Sequence, residues 1–226
     1  VTPLATESGG VDSLCLQQAL KALLPAQAVV AAALCDAAEY PLIGNEATCI
    51  ARACERRQRE FAAGRHLART CLAAFGLHNI ELLRGEGGDI QWPVGYTGSI
   101  THAGPWCLAA VMPTGATRGI GIDLEDARRM TPAIAQRIMT HEEAAQFEQL
   151  TGDMAATFCF CAKEAVYKAL YPSVKRFVGF REVILFPDQR NAKQLAFTAR
   201  LGRQYNLRGQ FAQLDNWVLA TAQLVD

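Results

Sequence analysis

At 226 residues and 24.5 kDa the chain has the length of one large domain or two small ones, enough to bury a substantial core. Half of its residues are hydrophobic and 19% are charged, the balance of a globular protein rather than a disordered one. Twenty-two basic residues meet twenty-two acidic ones, which excludes a polybasic nucleic-acid binder and an acidic solvating tail. No run of ~18 apolar residues is present to span a membrane. The first residues lack the charged flank and apolar core of a signal peptide. None of the eight cysteines forms a Cys-x-x-Cys pair, and most lie among Ala, Leu and Ile. Cys159 and Cys161 lie two apart in a helical pattern, where side chains diverge, so packing explains the cysteines better than zinc. Free thiols fit a reducing compartment, the cytoplasm.

In chain order, Asp12 or Ser13 caps a first helix through Leu24, with Leu16, Leu20, Leu23 and Leu24 as its apolar stripe. Val29–Leu34 reads as a short buried strand. A long helix is predicted from Ala47 to Phe75, ended by Gly76. After a loop at Gly85–Gly88 come strands at Ser99–His102, Cys107–Met112 and Gly119–Glu125. Thr131-Pro132 opens a short helix with Pro at the first position. Thr140-His141-Glu142-Glu143 is a capping box that opens the next, through Leu150. A helix from Asp153 to Tyr171 stops at Pro172, and three strands close the chain: Val178–Phe186, Leu195–Leu201 and Asn216–Leu224.

One internal echo suggests two related halves. Phe61-Ala62-Ala63-Gly64-Arg65 with Arg69 resembles Phe160-Cys161-Ala162-Lys163-Glu164 with Lys168, and Trp106-Cys107-Leu108-Ala109 resembles Trp217-Val218-Leu219-Ala220. Charge is local. Six arginines lie between Arg52 and Arg69, either a solvated helix face or a cradle for phosphates, which guanidinium forks suit. Gly121-Ile122-Asp123-Leu124-Glu125 puts two carboxylates on one strand face. Such a pair is either a polar strand end or a Mg²⁺ site. Glu164 and Lys168 are four apart on one helix, an ordinary ion pair or a carboxylate and ammonium placed for metal binding and proton transfer. Ser99 and His102 follow Gly98, whose missing side chain lets a ligand approach the backbone.

Taken together, these segments resemble the 4′-phosphopantetheinyl transferases, specifically the single-chain type associated with enterobactin and surfactin synthetases. Four ordered segments carry the likeness: Arg57 to Arg65, Trp92-Pro93-Val94-Gly95 leading into Gly98-Ser99-Ile100-Thr101-His102, Gly121 to Glu125, and Phe160 to Lys168. The resemblance implies an α+β pseudo-dimer of two similar α+β lobes with the active site between them, here 1–118 and 119–226. The first lobe would carry the basic coenzyme A-binding helix and the second the Mg²⁺-binding carboxylates. Coenzyme A is the implied donor and a serine of an apo acyl, peptidyl or aryl carrier protein the acceptor, with 3′,5′-ADP as the second product.

The implied metal ligands are Asp123, Glu125 and Glu164, and the implied catalytic residues are Glu164 as base, directly or through a water, and Lys168 at the leaving phosphate. Ser99 and His102 would hold the pyrophosphate, Arg57 and Arg65 the 3′-phosphate and adenylate end. Asp123 and Lys168 also belong to the donor site, and Arg69 enters only through the echo. Three departures stand out: Cys161 replaces a usual Ser, Leu124 cannot ligate, and Gly85–Gln91 lacks the usual basic residue and proline. Arg128, Arg129, Met130 and Ile138 are read as the surface for an acidic carrier protein, and the chain as a monomer. A Mg²⁺-dependent phosphohydrolase and a non-catalytic coenzyme A- or carrier-binding module are the competing readings.

Overall fold

The computed structural model describes residues 10–191 and 194–225. The chain forms two compact units, one from Asp12 to Ala116 and one from Thr117 onward.

The first unit opens as its capping pattern dictates. Asp12 is extended, and its carboxylate accepts the Cys15 N–H at 2.7 Å, starting helix α1 (Ser13–Leu23). Leu16, Ala19, Leu20 and Leu23 form its buried stripe. Strand β1 (Val29–Leu34) and the hairpin β2 (Tyr96–Ala103) and β3 (Trp106–Pro113) make an antiparallel sheet of order β1-β3-β2. Helix α2 (Glu55–Ala73) packs on this sheet, and its Gly64 admits the side chain of Ile100. The single long helix expected from Ala47 is in fact broken. Gly44–Cys49 is a 3₁₀ turn, and α2 begins only after Cys54. Glu46 explains the break, because the chain must fold back to bury its carboxylate over α2. That carboxylate accepts Arg69 at 2.6 Å, the Leu82 N–H at 2.9 Å and the Ile43 N–H at 3.1 Å.

The second unit is a five-stranded antiparallel sheet of order β4-β8-β7-β6-β5. Its strands are β4 (Ile120–Asp126), β5 (Val183–Asn191), β6 (Gln194–Leu201), β7 (Tyr205–Leu214) and β8 (Trp217–Val225). Helices α3 (Pro132–Ile138) and α4 (His141–Thr151) lead into α5 (Ala155–Val174). The Thr140–Glu143 capping box is present in both directions. Three sequence expectations need correction here. Residues 178–182 form a turn rather than the start of a strand, because Glu182 accepts the Gly179 N–H at 2.8 Å. Strand β7 was not expected at all: Arg208, Gly209 and Gln210 interrupt its apolar alternation. Helix α5 continues past Pro172, since a proline in the last turn removes only one ladder bond. The Lys175 N–H still closes on the Tyr171 carbonyl at 2.9 Å, with Lys175 left-handed at φ 47°.

Both units share one topology. In each, a strand is followed by a helix and then by a hairpin whose second strand inserts beside the first: β1-α2-β2-β3 and β4-α5-β7-β8, with β5 and β6 added. The two Trp-led segments of the sequence echo begin β3 and β8.

The contact of α5 with β4 positions the chemistry. Odd residues of β4 share the face toward α5. A side chain at Gly119 or Gly121 would overlap the carbonyls of Ala169 or Ala165. The Cys161 thiol donates within this register, 3.2 Å from the Asp123 carbonyl. Thus Cys161, Ala165 and Ala169, one helical stripe, lie against Asp123, Gly121 and Gly119. The Cys161 that replaces a serine still provides a small hydrogen-bonding group there, its own pKa raised by burial. Gly121→Ala should therefore destabilise the chain by ~3 kcal/mol, the upper range of over-packing. Urea denaturation checks this, and an unchanged midpoint would mean that α5 does not rest on β4 at this residue.

Candidate active site

The predicted residues fall into two groups, one in each unit. In the second unit Asp123 and Glu125 follow the two glycines on the α5 face of β4, and Glu164 and Lys168 lie one residue before Ala165 and Ala169 on α5. Asp123 is buried at 4% exposure, and its Oδ1 accepts Lys168 Nζ at 2.7 Å. The ammonium also donates to the Ile122 carbonyl at 3.0 Å, and a quarter of the side chain (26%) remains exposed. Burial pushes the Lys168 pKa down, but the Asp123 carboxylate, with Glu164 behind it, outweighs burial and holds the ammonium above its ordinary value. Burial first, then Asp123, raises Glu164. Burial, Asp123 and Glu164 together push Glu125 up to about 8, with Lys168 and Arg129 opposing.

These carboxylates repel one another, and hard oxygen donors in such a cluster suit Mg²⁺. Among the described residues no three such groups stand at ligand spacing, so side-chain rotation would have to complete a cation shell. The donor set fits the ion in its chemistry. The raised Glu125 has a consequence for stability. Between its ordinary 4.5 and about 8 the folded chain holds a proton that the unfolded chain has released, so stability falls as pH rises through that window. Thermal unfolding in chelator should show this decline, and Glu125→Gln should flatten it. An equal slope in the variant would assign the decline elsewhere.

An apolar pocket of about 110 Å³ adjoins Glu164, walled by Tyr167, Phe177, Phe180 and Val183. Phe177 is 76% exposed at its rim.

In the first unit Arg57 and His102 meet. Arg57 Nη1 contacts the His102 Nε2, and Glu60, buried at 6%, gathers both. Its Oε2 lies 3.2 Å from Arg57 Nη1 and 3.5 Å from His102 Nδ1, while Arg56 Nε approaches its Oε1 at 3.4 Å. Sequence reading passed over Glu60; its position three residues after Arg57 was the available signal.

The other predicted donor residues stand apart from this pair. Strand alternation turns Ser99 to the opposite face of β2 from His102, buried at 4% beside Thr97 and Thr101. Gly98 carries no side chain because one would meet the Trp92 ring at 2.7 Å, so the Trp-Pro segment packs directly on the strand. Arg65 is buried at 5%, stacks 4.2 Å from the Phe61 ring and donates through Nε to the Leu82 carbonyl at 2.7 Å. Desolvation lowers its pKa to about 10. Arg69 is engaged by Glu46 and by the Pro41 carbonyl at 2.6 Å, a structural role rather than the ligand role that the echo suggested.

The predicted carrier surface also changes. Ile138 is only 2% exposed and faces inward, whereas Ile134 on the same helix is 37% exposed. Arg128 grips Asp126 at 2.8 and 2.7 Å, and Arg129 is exposed beside it. No helix among the described residues is long and apolar enough to cross a membrane.

Comparisons with known proteins agree on one kind of protein. Residues 45–112 match the family model "4'-phosphopantetheinyl transferase N-terminal domain", and residues 119–222 match "4'-phosphopantetheinyl transferase superfamily". The chain is 35% identical over 192 residues to 4'-phosphopantetheinyl transferase Svp of Streptomyces mobaraensis, covering 80% of this chain and 76% of that protein. It is 36% identical over 143 residues to 4'-phosphopantetheinyl transferase PptT of Mycobacterium tuberculosis, covering 61% of this chain and 62% of PptT. This chain therefore belongs to the 4′-phosphopantetheinyl transferase family. The match thus spans less than two thirds of PptT's length. A holo-(acyl-carrier-protein) synthase structure from Bacillus anthracis is similar at 22% identity and a TM-score of 0.39, covering 48% of this chain and 96% of that one.

Proposed function

We propose that this chain transfers the 4′-phosphopantetheine arm of coenzyme A to a serine of an apo carrier protein. The observation that carries the reading is the Asp123–Lys168 pair with Glu125 and Glu164 on one β4–α5 face. The serine oxygen forms a bond to the phosphorus that bears the pantetheine, and the bond from that phosphorus to the bridging oxygen breaks, releasing 3′,5′-ADP. Lys168, partly exposed and charged, stabilises the leaving phosphate or returns a proton to it. Glu164 accepts the serine proton, with a water as relay if it also ligates a cation, since a metal-bound carboxylate is a weak base. Asp123, Glu125 and Glu164 are the residues that would hold Mg²⁺, which when bound screens the charge of the pyrophosphate.

In the first unit Arg57 and His102 bind donor phosphates, with Glu60 holding both side chains in place. Ser99, on the opposite face of β2, and Arg65, enclosed by the Leu82 carbonyl and the Phe61 ring, support the packing of this unit rather than touch the donor. The apolar pocket beside Glu164 takes the gem-dimethyl carbon of the arm, which is one carbon from the phosphate ester. Arg129, Ile134 and Arg137 present a basic and apolar face to an acidic carrier. The chain acts as a monomer in the cytoplasm, within peptide-synthetase, siderophore or polyketide synthesis.

Mixing the chain with coenzyme A, Mg²⁺ and an apo carrier tests the reading. A carrier heavier by one phosphopantetheine supports it. Nucleotide release with an unmodified carrier would mean hydrolysis, and coenzyme A binding without reaction would mean a binding module.

A further inference from the structure

Lys163 immediately precedes Glu164 and carries the other positive charge of the Lys-Glu segment. Its position invites a role in binding phosphate. The geometry argues otherwise: the side chain is 1% exposed, and Nζ donates to the Ile138 carbonyl at 2.7 Å, Glu143 Oε2 at 2.9 Å and the Phe180 carbonyl at 2.8 Å. An ammonium has three N–H donors, and these acceptors account for all of them. Glu143 is equally engaged, because its Oε2 accepts the Thr140 N–H at 2.9 Å and its Oε1 the Leu185 N–H at 3.0 Å. One buried ion pair thus ties the end of α3, the cap of α4, helix α5, the turn before β5 and β5 itself.

That turn walls the pocket beside Glu164. The Phe180 carbonyl is held by Lys163 while its ring lies 5.6 Å from Phe160. We propose that Lys163 is a positioning residue: its stem lines the pocket, but its ammonium is turned to protein acceptors and holds Phe180 so that the pocket keeps its shape for the pantetheine arm. This deepens the transfer reading and rests on it. A phosphate-binding lysine would act on the whole donor, whereas a wall-holding lysine acts only on the arm. Coenzyme A and 3′,5′-ADP, compared also in Phe180→Ala, separate the two: the product lacks the arm and the phosphate that leaves with it, and a wall effect alone is reproduced by removing the Phe180 ring.

Titration calorimetry with Mg²⁺ on Lys163→Met reads the difference. The variant should bind coenzyme A at least tenfold more weakly than wild type and 3′,5′-ADP within twofold of wild type. Phe180→Ala should reproduce that pattern, and the double variant should be no worse than either single. Equal weakening for both ligands, no weakening for either, or additive effects in the double variant would overturn the proposal. If Lys163→Met fails to fold, Glu143→Gln, which keeps the side-chain shape and both carbonyl partners, is read by the same criteria. A wild-type chain that transfers yet binds the two ligands equally overturns this inference alone, while one that transfers nothing overturns the reading beneath it.

Discussion

Lys168→Ala is expected to lower kcat by ~10²–10³-fold, the usual cost of removing one preorganised charge from a phosphoryl-transfer site. The geometry gives the reason. Lys168 is anchored on Asp123 and Ile122 yet a quarter exposed, so its charge is fixed in direction and still accessible. Its raised pKa keeps it cationic at neutral pH, ready to face a phosphate. The loss should fall on kcat rather than on KM, because the ammonium acts on charge that develops at the leaving phosphate in the transition state. Steady-state kinetics with an unfolding control checks this. Removing the lysine also leaves Asp123 buried without its cation, so some loss of stability in chelator is expected. A variant with full turnover would remove Lys168 from the chemistry.

Asp123→Ala is expected to have the larger effect, with transfer reduced by ~10³-fold or more and Mg²⁺ dependence lost. Asp123 is the member on which the cluster turns: it holds Lys168, and its charge raises both Glu125 and Glu164. Without it the two glutamates lose the part of their elevation that Asp123 supplies, burial keeping the rest, and no dense set of charges remains to favour a divalent ion. In wild type, Mg²⁺ should raise the melting temperature by mass action on the folded state. In Asp123→Ala that shift should vanish. A wild-type-sized shift in the variant would place the ion elsewhere.

Sequence alone revealed much of this cluster, because its pattern is local. Strand alternation put Asp123 and Glu125 on one face, and helical spacing put Glu164 and Lys168 on one edge. The Asp12 cap and the Thr140–Glu143 box were equally readable, since each needs only three or four residues. The features that escaped depend on partners far away in the chain. Glu46 breaks the predicted helix because its carboxylate is required by Arg69, 23 residues on, and by Leu82, 36 residues on. Arg65 read as an open guanidinium, but the Leu82 carbonyl and Phe61 ring enclose it. Ser99 and His102 read as one element, yet three residues along a strand reverse the face. Strand β7 escaped because its neighbours, not its own alternation, define it: Gly209 lies where the Phe197 ring would exclude a side chain. The glycines of β4 were visible as letters, but only the carbonyls of Ala165 and Ala169 show why no other residue fits.

Intact-mass kinetics of an apo carrier protein with coenzyme A, in Mg²⁺ and in excess chelator, test the carboxylate cluster most directly. In Mg²⁺ the wild-type chain should convert the carrier with one 3′,5′-ADP released per phosphopantetheine transferred. Chelator and Asp123→Ala should each stop that conversion while the chain stays folded. Modification of the carrier at an undiminished rate by folded Asp123→Ala, or by wild type in chelator, would contradict a reaction run by Asp123, Glu125, Glu164 and Lys168 around a divalent cation.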